Sequence, residues 1–367
     1  MKASGVVLTA VSSLLLTACG GDSSSFPVGG GGGTGPTESI SLECSIPTSE
    51  IFAAAARDAI PSLTNPELAG STAVFMTDND RVLGVVVNGE ARAYPFGILW
   101  WHEIVNDTLG GANVLVTYCP LTGSGIAFDP RVEGLLRNFI VSGLLYRTNL
   151  TMLDLENESL WNQMLLGSQC GVDRGAVLTR IPIVETDWVT WKTDHPNTTV
   201  MTPNTGSQRP YFAYPYGSYA DPNNNFVDFL PAGVTWSSKL KTKELVLGVF
   251  VGSTAVAYPL EAMAARGGAV AVNDVVAGLP VVVTYRSAGN LAVAFDRRVS
   301  GQTLTFNVTG SAPFTMVDAE TGSEWNSAGE ATSGPLSGQR LEQVDDAYVA
   351  FWFAWSIYYP DIGVFRF

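Results

Sequence analysis

Apolar residues along most of this chain stand in short runs, each closed by a turn signal of Gly, Asn, Asp or Pro. The run at 82–87 is followed by Asn88-Gly89, the dipeptide that favours a two-residue hairpin turn, and then by a second run reaching Tyr94. Gly110-Gly111, Gly123 to Gly125 and Glu133-Gly134 punctuate the runs that come next. A helix is expected over 187–195, because Pro196 forbids its continuation and pushes the residue before it out of helical geometry. The pattern predicts an α+β, β-rich fold of mainly antiparallel strands with short helices.

The pattern also repeats. Residues 83–95 match 247–259 at 8 of 13 positions, and 106–132 match 273–299 at 12 of 27. Asp154 and Trp161-Asn162 return as Asp318 and Trp325-Asn326. Two tandem, internally homologous modules are therefore expected. The first covers 44–202 and the second, degenerate one covers 232–367. Between them, 203–231 reads as a long aromatic connector with Tyr211, Phe212, Tyr214, Tyr216 and Tyr219, and unstructured loops of that length are usually functional or lie over another surface.

The amino-terminal segment breaks the pattern. Lys2 precedes an apolar run from Gly5 to Leu16, too short to span a bilayer but suited to a signal-peptide core. It ends in Leu16-Thr17-Ala18-Cys19, which resembles the lipobox of bacterial lipoproteins. That resemblance implies a signal peptide at 1–18, lipidation of Cys19, and attachment to a membrane through the lipid on the periplasmic or extracytoplasmic face. Residues 19–43 then form a flexible Gly/Ser tether. An ordinary secreted protein is the alternative.

Composition narrows the partners. Only 15% of the 367 residues are charged, against roughly 25% in an average soluble domain, which excludes a disordered chain. A formal charge of -14 excludes a surface built to neutralise nucleic-acid phosphates. No Gly-rich phosphate loop, Gly-x-Ser-x-Gly elbow or His-Glu-x-x-His sequence occurs, so no cofactor is expected.

The candidate chemistry comes from what one module has and the other lacks. Asn106-Asp107, Thr117-Tyr118, Phe128-Asp129 and Trp161-Asn162 recur, so they read as scaffold. His102, Glu103 and Cys119 correspond to Ala269, Val270 and Arg286 and do not recur. Each alone is as readily a core residue, and their joint absence from the second module singles them out. Thiol redox chemistry centred on Cys119 is one reading, with His102 and Glu103 setting the thiolate and Thr122 hydrogen-bonding the sulfur. A Cys/His nucleophilic hydrolase or transferase is another, with backbone N–H groups of 123–125 facing the developing anion. A non-enzymatic ligand-binding or envelope scaffold protein is the third. Metal binding is weak, since the chain holds two histidines. His195 reads as a helix-end charge partner outside the site. Of the cysteines left after Cys19, Cys44 and Cys170 lie in accessible polar segments and are expected to pair, leaving Cys119 free.

Several of these stretches together resemble a known family. They are Ile60-Pro61-Ser62-Leu63-Thr64-Asn65-Pro66, 88–95, Trp101-His102-Glu103-Ile104-Val105-Asn106-Asp107, Val116-Thr117-Tyr118-Cys119-Pro120-Leu121, 141–146, 158–161 and His195-Pro196. In that order they are similar to domain of unknown function 3179. The resemblance implies a bacterial or archaeal protein, often exported, and supplies no reaction. It also implies a second cysteine or a selenocysteine three residues after Cys119, where this chain has Thr122. The family pattern thus favours thiol redox with a small-molecule or protein thiol substrate, while this chain lacks the resolving partner.

Overall fold

The computed structural model describes residues Glu43–Phe367 as one compact unit. The expected signal peptide, Cys19 and nearly all of the tether lie outside the described residues. Within them, no helix is long and apolar enough to cross a membrane. The described residues are 44% strand and 10% helix, with several mostly antiparallel sheets and a few short helices.

The first half, up to Met201, contains three five-stranded sheets. The hairpin Arg81–Val87/Glu90–Pro95 is central to the first sheet, with Ile183–Asp187 on one flank and Thr199–Met201 on the other. Its turn is the expected one, with φ of 50° at Asn88 and 82° at Gly89. Helix Phe96–His102 follows directly and leads into the meander Ile104–Leu109, Ala112–Cys119, Ser124–Asp129 of the second sheet. The third sheet is built on Phe139–Tyr146 and Asn149–Asp154. The expected helix at 187–195 is Trp188–Asp194; Asp187 caps it by accepting the Thr190 N–H.

The second half runs through the same order. Hairpin Leu245–Val251/Thr254–Pro259 leads to helix Leu260–Ala264, then to the meander Ala269–Val276, Leu279–Arg286, Leu291–Asp296. A further sheet begins at Phe306–Ser311, and Ala347–Phe351, helix Trp352–Tyr358 and the short strand Gly363–Val364 end the series.

Individual contacts recur as well. The Asn106 side chain donates to the Phe139 carbonyl and accepts its N–H, each at 2.9 Å, and Asn273 does the same to Phe306 at 2.8 and 2.9 Å. Tyr94 Oη donates to Asp107 at 2.9 Å and Tyr258 Oη to Asp274 at 2.7 Å. Trp191 lies against Gly84 and Trp355 against Gly248, each indole 2.2 Å from where a Cβ would stand. Glycine is required there because the sheet admits a six-membered ring only if no side chain occupies that face.

The halves share one apolar core. A single cluster joins Cys119, Leu121, Phe139 and Trp161 of the first half to Phe351, Trp352 and Trp355 of the second. The Phe351 N–H donates to Thr122 O at 2.9 Å, and the Phe351 ring fills the space that a Cβ on Gly123 would need. The connector contains no strand or helix. It packs Tyr214, Tyr216, Tyr219, Val227 and Phe229 onto the same core, so it is a strap over the first half.

Candidate functional site

Cys119 is the last residue of its strand and enters the turn Pro120-Leu121-Thr122-Gly123. It is 1% exposed. Its Sγ lies 3.8 Å from the Thr148 carbonyl. Burial, followed by the nearby Glu103 carboxyl, pushes the thiol up to about 11, against donors from the Thr122 hydroxyl and the N–H groups of Thr122 and Leu150. At neutral pH the sulfur keeps its proton.

His102 ends helix Phe96–His102 and has no free nitrogen. Nδ1 lies 2.6 Å from the Pro61 carbonyl, which can only accept, so Nδ1 carries the proton. Nε2 therefore accepts from Tyr211 Oη at 2.6 Å. Burial holds the ring below its ordinary pKa, and Arg209 adds to this, against the Pro61 carbonyl. The expected Cys119–His102 pair is not formed, because the helix end directs the imidazole at the chain segment before it and at the strap.

Glu103 follows in a left-handed conformation, φ 56°, which is unusual for a residue with a side chain. It is 6% exposed and its carboxyl has no hydrogen-bond partner among the described residues. Burial alone pushes it up to about 8, so it is a neutral acid at pH 7.

Thr122 Oγ1 belongs to a buried polar network. It shares a hydrogen bond with Ser124 Oγ at 2.8 Å and accepts from Asn149 Nδ2 at 2.9 Å. Gln163 Oε1 accepts from Ser124 at 2.7 Å and Asn149 at 2.8 Å, and its Nε2 donates to Thr117 Oγ1 at 2.9 Å. Ser124, Asn149 and Gln163 were missed in the sequence, although the comparison between the two repeats of the pattern contains the signal. At the same offsets the second half has Leu291, Pro313 and Ser327.

The strap closes the region. Tyr219 Oη donates to Leu121 O at 3.0 Å, and the Thr148 hydroxyl donates to Asp228 O at 2.8 Å. Tyr214, Tyr216 and Tyr219 are raised first by burial and further by nearby charge, that of Cys119 for all three and of Glu103 for Tyr216. Lys243 Nζ sits 4.0 Å from the Tyr219 ring centroid and donates to Asn224 O at 2.9 Å, pinning the strap's tip.

Cys44 and Cys170 are joined by a disulfide, and Cys119 is the free cysteine among the described residues. No group of three or more His, Cys, Asp or Glu side chains that could hold a metal occurs there. An open cleft of about 650 Å³ lies elsewhere, at the seam between the halves, with His195 and Trp191 in its lining.

The family profile described as protein of unknown function (DUF3179) matches residues 57–362. No curated protein and no solved structure matches the chain.

Proposed function

The chain belongs to that family, and we propose that it is an exported, lipid-anchored ligand-binding protein in which Cys119 is a sealed structural thiol. The observation that carries this reading is the state of the sulfur: 1% exposed and protonated up to about 11. Nucleophilic and redox chemistry both require a reachable thiolate. The hydrolase reading also requires a base, and both nitrogens of His102 are already engaged. The lipobox-like sequence before Cys19 supports anchoring, with the folded body on the extracytoplasmic face of a membrane as part of the same proposal. The parallel element order and recurring contacts support reading 44–202 and 232–367 as copies of one module, with the 203–231 strap belonging to neither.

The test is labelling of the native, full-length protein with a thiol reagent, alongside the same reaction in denaturant. The expected result is a silent thiol that reacts on unfolding, titrates well above the ordinary value of about 8.5, and does not consume peroxide. Rapid native labelling or peroxide turnover abolished by Cys119→Ala would overturn it. Anchoring is read from intact mass: a diacylglyceryl and acyl addition, lost in Cys19→Ala.

A second reading, thiol redox chemistry once the strap lifts, is favoured by one observation. The Thr122 hydroxyl and the Thr122 and Leu150 N–H groups all act on the sulfur in the direction that stabilises a thiolate. On that reading the native thiol reacts slowly but measurably, at a rate limited by opening of the strap.

A further inference from the structure

The cleft between the halves is built differently from the Cys119 region. Its volume of about 650 Å³ falls within the roughly 300–1,000 Å³ of small-molecule sites. One wall is strand Leu291–Asp296, contributing Leu291, Val293 and Phe295, and Val86 and Val184 contribute from the first half. These surfaces suit an apolar body.

Four charged side chains and one histidine line it, and their pairing decides what the cleft lacks. Asp194 accepts from Arg286 at 2.6 Å, and Arg340 is paired with Glu330. Glu342 and Asp345 are exposed, and neither side chain makes a hydrogen bond or ion pair among the described residues. They are near enough that Glu342 raises Asp345, secondary to burial and against Arg180. His195 lies beside Trp191, with centroids 4.1 Å apart and planes tilted by 44°, and is held low, first by burial, so it adds no positive charge at neutral pH. The cleft is thus an apolar slot with two carboxylates that no side chain among the described residues hydrogen-bonds, Arg180 and Arg298 acting on them only through space.

A metal ion does not fit, since a hard cation needs about six oxygen ligands and no suitable group of side chains exists among the described residues. An anion would meet a guanidinium that is already paired and two carboxylates that are not. We propose that this cleft binds a small organic ammonium ion with an apolar or aromatic body, its charge met by Glu342 and Asp345 and its body lying on the Leu291–Phe295 wall. The proposal rests on the ligand-binding reading and adds to it a site and a ligand class.

The test is calorimetric titration of the full-length protein, at low salt, with three probes of one shape: phenethylammonium, 2-phenylethanol and phenylacetate. The ammonium is expected to bind at least roughly tenfold more tightly than the alcohol, equivalent to about 1.4 kcal/mol, and the carboxylate least. Glu342→Gln with Asp345→Asn should erase that preference and leave the melting temperature unchanged, because both side chains are exposed. Glu342→Lys should turn the preference toward phenylacetate. The proposal is overturned if the alcohol or carboxylate binds as well as the ammonium, if the double variant binds the ammonium unchanged, or if no heat is seen up to about 10 mM. The thiol labelling separates the two failures: a reactive native Cys119 removes the ligand-binding reading itself, whereas a silent thiol with the wrong probe preferred removes only the ligand class.

Discussion

The two halves share their order of elements and several buried contacts, yet their interiors have different chemistry. Around the turn after Ala112–Cys119, the first half buries Thr117, Thr122, Ser124, Asn149 and Gln163 in one satisfied network. The second half has Thr284, Gly289, Leu291, Pro313 and Ser327 at the same offsets and packs its meander with aliphatic side chains. A scaffold of this shape therefore does not need the polar network, since one half stands without it. Buried polar networks are costly when incomplete, and they narrow the arrangements a core can adopt. What the first half gains is a fixed position for the Cys119 turn, the Thr122 hydroxyl and the docked Phe351.

Substitutions can sharpen or break that comparison. The largest effect is expected at Gln163, whose loss takes an acceptor from the Ser124 hydroxyl and Asn149 Nδ2 and a donor from Thr117 Oγ1 and the Ser124 carbonyl. Gln163→Leu should cost about 3–5 kcal/mol over four lost hydrogen bonds, at about 0.5–1.5 each, whereas Ser327→Ala should stay within about 0.5, both read by urea denaturation. Equal costs would mean that the network does not distinguish the halves.

Next comes the disulfide, which ties the first described segment to strand Gly167–Cys170 and has no counterpart in the second half among the described residues. Cys44→Ser with Cys170→Ser should lower stability by about 2–5 kcal/mol. Gly84→Ala and Gly248→Ala probe what the halves share. Each drives a Cβ to 2.2 Å from an indole and should cost about 1–3 kcal/mol; a loss at only one position would show that the sheet–tryptophan contact is not equivalent.

The smallest effect is a gain. Glu103 has a folded pKa of about 8, raised from 4.5 by burial. The stability it contributes as a neutral acid is whole below pH 4.5 and is lost as pH rises through about 8, because the unfolded chain releases that proton first. Glu103→Gln should flatten stability across this window and add about 1–2 kcal/mol at pH 7, seen in melts from pH 4 to 8.5. Val270 occupies the corresponding place, so Val270→Ala should leave the pH profile unchanged.

Much of the framework was legible because it is specified locally. Asn88-Gly89 fixes a hairpin by its own backbone preference, and Asp187 and Pro196 bracket a helix wherever that helix packs. Site chemistry was legible only where the sequences of the two halves could be compared. That comparison singled out Cys119, His102 and Glu103. It gave no direction for the imidazole, which depends on Pro61 and Tyr211 arriving from 41 residues before and 109 after. The seam cleft had no local signature, since its walls come from positions as far apart as Gly84 and Asp345. His195 reads as a helix-end residue from its place before Pro196, and its neighbours across the seam are remote in the chain.

The docking of Phe351 on the Cys119 turn has a consequence for the order in which a newly made chain closes. Because synthesis proceeds from the amino terminus, the Cys119 turn lacks its Phe351 cover until strand Ala347–Phe351 has emerged. During that interval three thiols, not two, compete for partners. Correct cross-linking therefore depends on Cys44 and Cys170 meeting through the early pairing of their own sheet, before the tail of the polypeptide shuts the door.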